Sequence, residues 1–279
     1  MSVFNVRVYN YKHGQQIRIY SNCYNCDDKN DVFVKQKKET KENSIEGVDN
    51  NEIWENIDFY EPYLDEMLED FEIEASKERS LKSSKSRTIQ KIYEITRSND
   101  WEYFITLTFN PEKVDSFNYS EVTEKLSKWL NNLKSRYAPE LKYIIVPELH
   151  QSGRFHFHGL FANIGNMSMI DSGKCLLDGS IIYNLGNYNL GFTTATKIKD
   201  CSRVSSYITK YISKDLCAVT SGKKRYWSSR NLDQVHIDEY VLEPLEIKQI
   251  LNDLSENITY MKTTHNLITG TYCRYVEIE

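Results

Sequence analysis

Apolar and polar residues alternate at the start of the chain, where "SVFNVRVY" and "QQIRIYS" flank "NYKHG". Strand side chains point to opposite faces in turn, so this alternation predicts a β-hairpin over residues 1–22. Periodicity is lost from Asn22 to about Asn51, and "IWENIDFYEPYLDEMLEDFEIEA" then spaces apolar residues among acids. The first stretch reads as loosely held chain, the second as a short helix or a segment that folds on contact. Residues 76–98 carry 7 basic and 2 acidic residues and read as a basic helix leading into the next strand. "WEYFITLTFNPE" is the clearest strand, with Ile105, Leu107 and Phe109 on one face and Thr106 and Thr108 on the other. Val122, Leu126, Trp129, Leu130, Leu133 and Tyr137 follow at helical spacing, with Ser120 placed to cap the start. "LKYIIVPELH" and "RFHFHGLF" predict a hairpin across "QSG". After a loop-rich stretch come a strand, "GFTTATKI", a helix, "SRVSSYITKYISKDL", and a basic aromatic segment, "KRYWSSRNL". The order β-α-β-β, then β-α, predicts an α+β domain with helices packed on an antiparallel sheet. The N-terminal hairpin can add an edge to that sheet.

The expected organisation is a hairpin at 1–22, an acidic linker or arm at 23–75, a catalytic domain at 76–235, and a C-terminal extension at 236–279 that packs on it. Net charge is -5, but residues 24–75 hold 17 acidic and 5 basic residues, a local charge of -12 that leaves +7 elsewhere. A basic body suits a polyanionic partner, and the acidic arm then reads as a solvated linker or a mask over the polyanion groove. No apolar run approaches the ~18 to 20 residues that a membrane helix needs. "MSVFNVRVYNYKHG" also lacks the layout of a secretion signal, so the expected location is intracellular, with no membrane partner. Six cysteines outline no disulfide framework, and Cys23-Tyr-Asn-Cys26 has zinc-ligand spacing without a second pair to match.

The chemistry begins in "SGRFHFHGLF", where His156 and His158 share one face of a strand. A divalent cation needs a third ligand, and the preceding strand offers Glu148 and His150 at matching parity. An odd-length loop or a bulge at Gln151–Gly153 would bring them to the histidines' face. Two imidazoles and a carboxylate suit Mn²⁺ or Mg²⁺ acting on phosphate. In "SSYITKYISKDL", Tyr207 and Tyr211 are four residues apart and each precedes a lysine by three, Lys210 and Lys214. On one helix both tyrosines would share a face. A tyrosine hydroxyl with pKa ~10 becomes a nucleophile near neutral pH when neighbouring cations favour its phenolate. In "KKRYWSSR" aromatics alternate with cations, a pattern suited to stacking on bases of a single strand.

Taken together, "FITLTF", His156-Phe157-His158 with Glu148, and the pairs Tyr207 to Lys210 and Tyr211 to Lys214 resemble the HUH endonuclease superfamily. Within it they resemble the two-tyrosine rolling-circle replication initiators of small single-stranded DNA phages and plasmids. The resemblance covers roughly residues 100–232. It implies an antiparallel sheet with flanking helices around a ferredoxin-like core. It also implies a metal-dependent enzyme that nicks single-stranded origin DNA through tyrosine and religates it. Tyr207, Tyr211, Lys210 and Lys214 would be catalytic, and Glu148, His156 and His158, with His150 as the alternative, would hold Mg²⁺ or Mn²⁺. DNA contacts are expected from Thr106, Thr108, Arg154, Lys224, Arg225, Tyr226, Trp227 and Arg230, and from the basic helix at 77–97. No GxxxxGK[ST] is present, so a host helicase would unwind the duplex and a host DNA polymerase would extend the primer. Other readings are a transposase or mobilisation relaxase, a non-catalytic origin-binding protein, and a zinc hydrolase without covalent tyrosine.

Overall fold

The computed structural model describes residues 3–25, 70–201, 204–266 and 270–279. Residues 26–69, which hold Cys26 and most of the acidic segment, lie outside the described residues. The fold is α+β, with two antiparallel sheets and few helices. The first sheet is built from the two ends of the chain. Hairpin strands β1 (Val3–Asn10) and β2 (Gln15–Asn25) pair with β10 (His236–Tyr240) and β12 (Thr271–Ile278), and β11 (Ile258–Asn266) pairs with β12. The hairpin therefore joins the C-terminal strands and adds no edge to the site-bearing sheet. One face of it, with Val6, Ile17, Ile19, Val276 and Ile278, forms a small core beside α5 (Pro244–Asp253).

The second sheet runs β6 (Met169–Cys175), β7 (Ile181–Leu185), β8 (Gly191–Lys197), β3 (Tyr103–Phe109), β5 (Phe155–Ala162), β4 (Lys142–Leu149) and β9 (Trp227–Ser228). On β3, Ile105, Leu107 and Phe109 are buried as the alternation predicts, while Thr106 and Thr108 look to the other side. The apolar stripe of α2 (Tyr119–Arg136) closes the first of these faces, with Trp129 stacked on Phe161. Its cap is Asn118, not Ser120, because the Asn118 side chain accepts from the backbone N–H groups of Ser120 and Glu121.

The basic helix α1 (Asp70–Arg97) packs with two short helices, α3 (Val204–Thr209) and α4 (Lys214–Val219), and with β4. These two replace the single helix expected over "SRVSSYITKYISKDL". Thr209 bonds back to the carbonyls of Ser205 and Ser206, and the Ser213 side chain accepts from Leu216 N–H to start α4 afresh. The loop-rich stretch after β5 contains the hairpin of β6 and β7.

Candidate active site

The site is assembled on one face of the second sheet by strand register. β4 and β5 are joined by the five residues 150–154, an odd-length connection with Gly153 at φ 82. Glu148 consequently faces His156 directly, and Thr106 on β3 faces His158 from the other side. Glu148 Oε2 lies 2.7 Å from His158 Nε2. Thr106 Oγ1 is 3.1 Å from His158 Nδ1, and Thr108 Oγ1 is 3.2 Å from His156 Nδ1. Each imidazole is thus held through Nδ1 by a threonine hydroxyl, a group that can donate or accept. Burial holds both histidines below their ordinary pKa, most directly by desolvating the charged ring. For His158, hydrogen bonding to Glu148 opposes that effect. His150 sits in the connection, bonded to Ser152 with its ring centroid 5.4 Å from that of His156.

The residue types fit a divalent cation: two imidazoles with Nδ1 engaged elsewhere and a carboxylate on the same face. As the side chains stand, however, no group of three or more His, Cys, Asp and Glu among the described residues is arranged to hold one. The reason lies in the Glu148–His158 hydrogen bond, which turns a carboxylate oxygen and a ring nitrogen toward each other. A cation would have to take the place of the proton shared between them. The threonine hydroxyl suits that exchange, because it donates to Nδ1 in one tautomer and accepts from Nδ1–H in the other.

Tyr207 lies on α3 and Tyr211 in the turn before α4, yet the break in the helix keeps both over the histidines. The Tyr211 ring stacks on His158, with centroids 3.6 Å apart and planes 10° apart. Tyr207 meets Tyr211 edge-on at 5.9 Å. Phe104 is the floor under all three, 4.9 Å from Tyr207, 6.5 Å from Tyr211 and 5.8 Å from His158. Sequence reasoning missed Phe104, although it has the parity of Thr106 and Thr108 and so must share their face.

The two tyrosines are electrostatically unlike. Lys210 Nζ lies 3.5 Å from the Tyr207 ring centroid and 5.0 Å from that of Tyr211. A hydrogen bond from the Tyr211 hydroxyl, then Lys210, pull the Tyr207 pKa below its ordinary value. Burial, and then the Tyr207 oxygen, push that of Tyr211 up. Lys214 stands apart, paired at 2.6 Å with Glu78 of α1.

The expected DNA contacts separate in space. Arg154 lies beside the hairpin connection, over the ring of Phe117. Arg225 is 9% exposed and donates to Thr220, Ser84 and the Cys217 carbonyl, so its guanidinium serves the interior. Trp227 is 7% exposed and packs edge-on against Phe157 in the core. Tyr226 packs on the core from a half-buried position, whereas Lys224 and Arg230 are exposed.

Among the described residues no helix is long and apolar enough to cross a membrane. No curated protein and no solved structure matches the chain. Residues 102–216, the stretch from β3 to α4 that carries the histidines and both tyrosines, match the family model of the replication-associated protein ORF2.

Proposed function

We propose that the chain initiates rolling-circle replication as a nickase and ligase of single-stranded origin DNA. The observation that carries this reading is the convergence of Tyr207 and Tyr211 on the face that bears Glu148, His156 and His158. The family match supports a role in replication initiation, and the two-tyrosine HUH chemistry is our extension of it. Glu148, His156 and His158 would hold Mg²⁺ or Mn²⁺, which would supply Lewis-acid stabilisation of charge on the scissile phosphate. The phenolate oxygen of Tyr207 attacks phosphorus, and the bond to the 3′ oxygen breaks. The products are a 5′-phosphotyrosyl link and a free 3′-OH, which serves as the primer for a host polymerase. Lys210 and the Tyr211 hydroxyl favour the Tyr207 phenolate that makes this attack. After one round Tyr211 attacks the regenerated junction, and a 3′-OH displaces the first tyrosine to close the circle. Each step exchanges one phosphodiester for another, so religation needs no nucleotide.

The test is to incubate the protein with labelled single-stranded origin DNA and Mn²⁺ and to look for a protein–DNA adduct that survives denaturation. His156→Ala should abolish the adduct with the fold retained, and His150→Ala should reduce it less. An His156→Ala variant that nicks at the wild-type rate would sink the metal assignment. Absence of any adduct with wild-type protein would sink the nickase itself.

A further inference from the structure

The face that bears the site is covered over one half and bare over the other. α1, α3 and α4 pack on its β4 side, while β8, β7 and β6 continue the sheet beyond β3. Register decides which of their residues share the site's face. Thr108, whose hydroxyl meets His156, is directly opposite Phe192, and Thr106 is opposite Thr194. Opposed residues of an antiparallel pair point the same way with Cβ atoms about 5 Å apart. Farther out, Thr196 faces Ile182, and Ile182 faces Lys174. None of the residues that these pairings place on the open face is acidic, so a polyanion meets no opposing carboxylate there.

A single exposed phenylalanine is ordinary on a protein surface. The placement of Phe192 is not. Its side chain is on the open face, the residue is 73% exposed, and among the described residues no ring or cation packs on it. It lies one strand from the residue that holds His156, and its position is fixed. The preceding residue, Gly191, brings β8 so close to β3 that a Cβ there would fall 2.1 Å from the Thr108 carbonyl oxygen and 2.5 Å from Asn110 N. β5 and β8 are two strand spacings apart, about 10 Å. Neighbouring nucleotides of one strand span that distance.

We propose that Phe192 is a stacking platform for a base adjacent to the scissile phosphate, and that the open face of β8, β7 and β6 carries the single strand away from the site. The identity of the strand rests on the nickase reading, and the position of the platform rests on register and exposure. The flat ring accepts any base, which gives affinity without sequence preference. This aromatic takes the role that the sequence pattern had suggested for Trp227, which the core uses instead.

The test is metal-free binding of a fluorescein-labelled oligothymidylate by full-length protein, read by anisotropy and kept separate from adduct formation. Phe192→Ala and Phe192→Leu should each weaken binding about 5- to 100-fold, the loss expected for one base stack. Phe192→Trp should bind at least as tightly as wild type, and quenching of its added indole fluorescence should track saturation. Melting temperatures should be unchanged in all three. Binding by Phe192→Ala equal to wild type overturns the platform even where the adduct forms normally. Phe192-dependent binding without any adduct leaves the platform standing and overturns the nickase. A change in sedimentation of Phe192→Ala would instead make this face a contact between copies and overturn the DNA assignment.

Discussion

Thr106 and Thr108 show how a strand residue of modest chemistry can govern a site. Their parity was legible in "FITLTF", and so was the shared face of His156, His158 and Glu148, because a period of two needs no tertiary information. What the hydroxyls touch was not legible, since it depends on which strand lies beside β3. They meet the imidazoles. Thr106→Val keeps the β-branched shape and removes the hydroxyl, so the strand should persist while His158 loses its Nδ1 partner. Adduct formation should fall about 10- to 100-fold, as for other partners of metal-ligating histidines. A rate and Mn²⁺ dependence equal to wild type would contradict this positioning role. The tyrosines, equivalent in sequence, are distinguished by their surroundings. Tyr207→Phe should reduce the first nick more than Tyr211→Phe, each should retain some adduct, and the double variant should form none. Gel assays of single-turnover cleavage would show this. The reverse ranking of the single variants would assign the first attack to Tyr211.

At the scale of elements, long periodic segments were legible and interruptions were not. β3, α2 and the hairpin of β4 and β5 follow their patterns because each buries one continuous stripe. The tyrosine helix was misread as continuous because its apolar spacing is helical throughout. Its end is set by local side-chain bonds from Thr209 and Ser213 that compete with the helical ladder. β6 and β7 were hidden by a register shift between Asp171 and Lys174, beside Gly173 at φ 70, which breaks the alternation. The Asp178-Gly179 turn was the missed signal of that hairpin. Gly191 makes the approach of β8 to β3 possible, so Gly191→Ala drives a methyl group into backbone. The neighbouring atoms there are carbonyl and amide, not the end of a flexible side chain. The variant should lose about 1 to 3 kcal/mol of stability by urea denaturation. It should also lose adduct yield, because Thr108 moves with the strand. Unchanged stability would mean that β8 is not held as close as the register requires.

For the whole molecule, the first sheet was beyond local reading because its partners come from opposite ends of the chain. Asn5 bonds to Leu242, and β2 pairs with β12. The two sheets are joined at the end of α1. There the Arg97 carbonyl accepts from His13 N–H, and Asn99 bonds to the backbone of Asp233. The Arg97 side chain, 3% exposed, crosses to the first sheet, with Nη1 3.9 Å from Glu277 and 4.0 Å from Glu279. Its guanidinium also lies within 6 Å of the rings of Tyr11 and Tyr93 (5.6 and 5.7 Å to the centroids). Tyr93 and Gln16 donate to the same Glu277 carboxylate. Arg97→Met therefore strands a partly buried charge and should cost about 3 kcal/mol, measured by calorimetry. Adding Glu277→Gln removes that charge while leaving an acceptor for Tyr93 and Gln16. The double variant should then recover part of the loss, which a simple cavity at Arg97 would not allow. The residues of the site lie on the other sheet, so both variants should still form the DNA adduct below their melting temperatures. Strict additivity of the two substitutions would show that Arg97 joins the sheets by packing alone.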